Sequence, residues 1–241
     1  LKVSSLQTSQ LVKLNADQII ALSTAQVASL TTTQVASLTT DQVVAMEVAD
    51  LRSLTSAQVR ALKTDQLVKL SPDQIGALSS GQVSALTTSQ LTALTPDQIV
   101  ALTTEHVAGL KILQAQALTT DQIAALETRD AAVLTSQQIR TLATEQFAAL
   151  TTSQIKALTT EQMVASLSEQ VGGMTTSQIA SLDNSLVSVL SSKQLSAMST
   201  DQVFALTTAQ MPALPSDSLK GWAAGQVNAL TTANIAALIT S

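Results

Sequence analysis

From Leu6 to Ala237 the chain divides into 29 consecutive octads without an insertion or a deletion. Leu118–Ala125, LTTDQIAA, is a clear copy. Position 1 is Leu in 24 octads, position 5 is Gln in 23, and position 6 is apolar in all of them. A repeat of eight residues cannot bury its own apolar side chains. Neighbouring copies must therefore stack to make a core, which points to a solenoid rather than a globular domain.

Each octad reads as the start of a short helix. Thr119, at position 2, is placed to cap the helix by accepting from the backbone N–H of the third helical residue. That residue is Gln122, whose side chain can reach back to the Thr119 N–H and close a capping box. Leu118 before the cap can pack on Ile123 as a hydrophobic staple. Pro72 and Pro96 fall at position 3, the first helical residue, where Pro costs no hydrogen bond. Twelve of the 17 acidic residues lie at position 4, near the positive helix end. Seven of the 12 basic residues lie at positions 7 or 8, near the opposite end.

Two other folds fail on geometry. In one continuous helix, eight residues advance by about 800°, so an apolar stripe slips by about 80° per octad and holds no face. In a β-solenoid, positions 1 and 6 have opposite parity and point to opposite faces. The expected fold is all-α: a solenoid of short capped helices, each from position 3 to position 8, with positions 1 and 6 buried and position 4 exposed. A helix of roughly six residues is not stable alone, so stacking must hold it.

A longer rhythm overlies the octads. Grouped by a period of 24, position 4 is acidic in 6 of 9 octads in the phase of Asp73, Asp97 and Asp121, against 4 of 10 and 2 of 10 in the other two. The phase beginning at Leu14 has Leu at every position 1. Three octads per turn are therefore favoured over two. No linker interrupts the pattern, so residues 1–241 read as a single domain. Residues 1–5 fit the tail of a preceding octad and residues 238–241 the start of another, as in a piece of a longer array. The departures are few. Ser166 and Leu167 exchange polarity, suggesting local slippage of the core contact, and Met211–Gly221 carries Pro212 and Pro215 before Trp222 takes a Leu position.

Composition excludes several functions. A net charge of −5 opposes the clustered Lys and Arg of a nucleic-acid groove. With no cysteine, disulfide frameworks, thiolate metal sites and Cys nucleophiles are ruled out. The longest apolar run, Ile235–Ile239, is far shorter than the ~20 residues of a membrane-spanning helix. One histidine, His106, stands in a Gln slot, where an imidazole can replace the amide at the cap. One His without Cys assembles neither a Ser/His/Asp triad nor a zinc site. No catalytic, cofactor-binding or metal-binding residue is expected, and no enzyme activity. The Thr pairs read first as caps, with an ice-binding or glycosylated face as the other use of so regular a hydroxyl array.

Leu94–Leu102, LTPDQIVAL, resembles the opening of the repeat in TAL effectors, but it recurs every eight residues, without their base-reading loop or basic surface. DNA reading is carried to no residue here. Tandem LTTxQ[IV]xAL octads, as in Leu30–Leu38, Leu118–Leu126 and Leu150–Leu158, are similar to long secreted or surface octapeptide-repeat proteins of bacteria, labelled adhesin-like, haemagglutinin-like or haem-utilisation. That resemblance implies an extracellular or cell-surface structural protein: a filament or adhesin stalk that stacks on itself, with glycan or cell surface as further partners. The alternative is a binding module whose repetitive face recognises a glycan, ice or a partner protein.

Overall fold

The structure, a computed structural model, describes residues 3–239, so Leu1, Lys2, Thr240 and Ser241, which belong to the expected flanking octads, lie outside the described residues. Within it, all regular secondary structure is helical, comprising 27 α-helical segments and three 3-10 turns. Each α segment begins at position 3 of its octad, as Thr120–Ala125 does. Position 2 precedes it in extended conformation, with φ −73° and ψ 161° at Thr119. Among the described residues no peptide bond is cis and no residue has positive φ. The link between helices thus ends in two extended residues, positions 1 and 2, in a conformation open to any L-amino acid.

The helix ends depart from the expected position 8. Thr64–Leu67 stops at position 6 and Pro72–Gly76 at position 7, whereas Thr120–Ala125 reaches position 8. Whichever position the helix ends at, its last turn is tightened. The N–H of the next position-1 residue bonds the position-6 carbonyl, three residues back, as Leu102 does to Ile99 at 3.1 Å.

From Leu30 to Leu214 positions 1 and 6 form the core, with Leu118 3% exposed and Ile123 fully buried, and the position-4 acids lie outside it, exposed. Towards the ends the expected burial fails, with Leu6 at position 1 only half-buried and Val227 and Ile235 at position 6 45% and 39% exposed. Phe147, at position 6, is the largest side chain fully buried.

The chain divides at Leu126 into two compact units. In the first, Thr40–Val44 packs on Thr64–Leu67, and Pro96–Val100 packs on both Pro72–Gly76 and Thr120–Ala125. In the second, Thr128–Ala132 packs on Thr152–Ala157, and Ser168–Gly172 on Ser192–Ser196. Each unit is a solenoid in which every helix meets the one three octads away, so three octads make a turn. At position 7, Gly76 marks how closely turns approach: a Cβ there would lie 2.7 Å from the Ala101 carbonyl oxygen.

The exchange at Ser166 and Leu167 produces no slip. The following helix starts at Ser168, in register, and Ser166 stays buried at position 1. Its hydroxyl donates to the Met163 carbonyl at 2.7 Å and accepts from Gln194 at 2.9 Å, so the core polar group is satisfied. The proline-rich octads do change. Pro212 lacks the N–H that would continue a helix, and Met211–Ala213 and Ser218–Gly221 form 3-10 turns instead. At the far end, Leu238 continues the helix Thr232–Ile239 rather than opening an octad.

Candidate functional site

The most organised polar feature is a ladder of position-5 side chains. The Gln122 Oε1 accepts from the Thr119 N–H at 3.1 Å, and the Thr119 hydroxyl accepts from the Gln122 N–H at 3.1 Å, closing the capping box. Where position 2 offers no acceptor, the Gln half persists alone: Ala143 donates to Gln146 Oε1 at 2.7 Å and Leu167 to Gln170 at 2.7 Å.

The amide nitrogen points the other way. Gln122 Nε2 donates to the carbonyls of Leu94 and Leu91, both at 2.9 Å, one turn earlier. In the first unit the same bond joins Gln34 to Leu6, Gln66 to Leu38 and Gln98 to Leu70, always 28 residues apart. In the second unit it joins Gln162 to Leu134, Gln178 to Leu150 and Gln202 to Met174. One Gln therefore caps the N-terminus of its own helix and ties off carbonyls at the C-terminus of the helix one turn back. That satisfies helix-end groups which short helices leave in excess. Its oxygen and both N–H groups are used, which explains how Gln122 can be 3% exposed.

The few other residues in this slot show what it requires. His106 takes it as a neutral imidazole: Nδ1 faces the Thr103 N–H at 3.2 Å and Nε2 the Leu78 carbonyl at 2.7 Å, so the proton belongs on Nε2. This is the cap role read from the sequence, extended to the neighbouring turn. Burial pushes the His106 pKa below its ordinary value, against the pull of the Leu78 carbonyl and Glu105. Asn234 also fits, its Nδ2 donating to the Leu206 carbonyl at 2.8 Å.

Asp50 and Asp130 do not fit as ions. Both are buried, at 2% and 0% exposure, and burial raises both pKa values. At Asp130, the Arg129 charge opposes the rise and the Glu127 charge adds to it, while the Glu127 amide lowers it without reaching hydrogen-bond geometry. Neither Asp130 oxygen has a hydrogen-bond partner. The octads of Asp50, Asp130 and Leu186 also carry an acid at position 2 (Glu47, Glu127 and Asp183), and none forms a cap bond from that side chain. Both halves of the box are lost together.

Outside the ladder, the position-4 acids sit where helix N-termini favour them. At exposed Glu161 the backbone N–H and then the Thr159 hydroxyl hold the carboxyl below its usual range. Among the described residues no group of three or more His, Cys, Asp or Glu could hold a metal ion, and no helix is long and apolar enough to cross a membrane. In the second unit an open groove between Thr176–Ser181 and Thr200–Phe204 is lined by Thr176, Ser177, Asp201 and Phe204. Phe204 is 64% exposed, whereas Phe147 and Trp222 are buried.

The donor side of the ladder escaped the sequence reading, which assigned Gln to the cap alone. A signal was present: position 5 is never Glu, although Glu would close the same box and suit the helix dipole better. A side chain that also donates is what completes the ladder, and buried Leu186 fills the slot without either bond.

No curated protein matches the chain. The ALTTAQ repeat matches residues 3–40, 20–48, 43–80, 75–104, 123–160, 131–169 and 187–216. With these segments covering well over half of its length, the chain belongs to the ALTTAQ repeat family.

Proposed function

We propose that the chain is a structural element of an extracellular or cell-surface filament or adhesin stalk, extended by stacking of its own kind of turn. The observation that carries this reading is the ladder. Each turn offers amide donors along one edge and backbone carbonyl acceptors along the other, so successive turns meet through the same heterologous contact. A contact of that kind does not close on itself and supports indefinite addition. The resemblance to secreted octapeptide-repeat proteins is what supports an extracellular or cell-surface location. Electron microscopy of native material tests it: uniform fibres with this chain repeating along the axis support the reading, and dispersed monomers retaining a specific ligand overturn it. Protease shaving of intact cells tests the location, since a surface stalk is cleaved without lysis.

The second reading, a glycan-binding module, is favoured by the Phe204 groove. An exposed ring flanked by Asp201 and the Thr176 and Ser177 hydroxyls suits a sugar, which stacks its C–H face on an aromatic and hydrogen-bonds at its rim. Glycan-array binding that is lost in Phe204→Ala, with the fold retained by circular dichroism, would establish it.

A further inference from the structure

Between two intact rungs of the first unit one rung is missing. Gln42 donates to the Leu14 carbonyl at 2.8 Å, and Gln58 to the Leu30 carbonyl at 2.6 Å. The octad between them places Asp50 in the same slot, 2% exposed, with the Leu22 carbonyl 28 residues back as its counterpart. A carboxylate has no proton to give, so the ionised side chain turns acceptor oxygens toward an acceptor. Length is no obstacle. Asn234, the amide of the same size, reaches the carbonyl 28 residues back at 2.8 Å from an equally buried position.

We propose that Asp50 is a proton-dependent rung: as the neutral acid it donates to the Leu22 carbonyl as Asn234 does to Leu206, and as the carboxylate it breaks that joint. The turn-to-turn contact at this point is then firm in acid and loosens as pH rises. The surroundings supply no cation to hold the ion. The preceding-turn helix Thr24–Ala28 carries no charged side chain, and the following-turn helix Pro72–Gly76 carries Asp73, exposed. On its own helix Glu47 and Arg52 are exposed, as are Asp41 and Arg60 on the flanking helices. Burial raises the Asp50 pKa, the Glu47 backbone amide draws it back, and the Glu47 charge raises it further. Ser53 keeps one contact across the same joint, its hydroxyl donating to the Thr24 carbonyl at 3.2 Å.

The sign follows from linkage. A carboxyl whose folded pKa lies above the unfolded one favours the fold below the unfolded value and loses that contribution as pH rises through the folded value. The test compares the native chain with Asp50→Asn, which fixes the neutral form, and Asp50→Gln, which restores the common rung. Melting temperatures are measured between pH 4 and pH 8, and the Asp50 carboxyl is followed by 13C NMR. The expected result is a gap between the native chain and Asp50→Asn that is small in acid and widens with pH, by about 3–5 °C for each tenfold loss in the folding equilibrium. The carboxyl should titrate above the ordinary Asp value of about 3.9. Other carboxylates and His106 are common to all three chains and cancel in the difference. A gap independent of pH, or a carboxyl titrating at its ordinary value, overturns the proposal.

Discussion

Gln122 and Leu94 are tied by a hydrogen bond from the Gln122 amide nitrogen to the Leu94 carbonyl at 2.9 Å, across 28 residues of sequence. The same side chain accepts from the Thr119 N–H at 3.1 Å, so a single residue holds both the start of one helix and the end of another. Gln122→Ala leaves the buried Leu94 carbonyl and the part-buried Thr119 N–H without this partner, and the buried group alone costs about 1–3 kcal/mol. Gln122→Glu keeps the cap acceptor but loses the donor and buries a charge. It should therefore be worse than Gln122→Ala at neutral pH and recover in acid, as urea melts at pH 4 and pH 7 would show. Equal stability of Gln122→Glu and the native chain at neutral pH would remove the donor role.

The hydroxyl half of the box should matter less. Thr119→Ala is expected to cost about 1 kcal/mol. Ile123→Ala, at a fully buried position, should cost about 2–5 kcal/mol. If thermal melts reversed that order, apolar packing would not be what holds the turns together.

His106 makes the first unit acid-sensitive at one rung. Its native form is neutral with a lowered pKa, so protonation favours the unfolded chain. Its contribution is whole above the ordinary value of about 6.5 and is lost as pH falls through the lowered folded value. A second proton on Nδ1 would also face the Thr103 N–H it now accepts from. His106→Gln should remove this loss and leave stability at pH 8 nearly unchanged. A chemical-denaturation series against pH distinguishes the two chains.

Gly76→Ala should be destabilising although Ala is the better helix former. The added Cβ would stand 2.7 Å from the Ala101 carbonyl oxygen, a backbone atom that moves only if the two turns part. A cost of about 1–3 kcal/mol is expected, read as a lowered denaturation midpoint. Gly81→Ala is the control, since its nearest neighbour beyond the octad, the Ser56 hydroxyl, is 4.0 Å away.

Much of this was legible in the sequence. The helix start followed from Thr119, Gln122 and Pro96, because capping chemistry is local and repeats at fixed positions. The three-octad turn showed in the acids at Asp73, Asp97 and Asp121, since residues in register on a turn share an environment. The reach of Gln122 to Leu94 was not legible as a contact, because it joins residues that only the turn brings together. Ser166 misled for a related reason. Its polarity argued for a slip, but Gln194 from the next turn satisfies its hydroxyl, and the octads on either side hold the register.

Among the described residues the links between helices contain no positive φ and no cis bond, so the chain can gain or lose whole octads without meeting a forbidden conformation. Removing eight residues of consensus sequence leaves the buried pattern intact, because Leu recurs at position 1 in 24 octads, Gln at position 5 in 23 and an apolar residue at position 6 in all 29. It nonetheless rotates everything downstream by a third of a turn, moving the acids of one stripe onto another. Removing 24 residues preserves both. Recombination within such a gene thus has two natural step sizes, one conserving the fold and a threefold larger one conserving the face it shows to its surroundings.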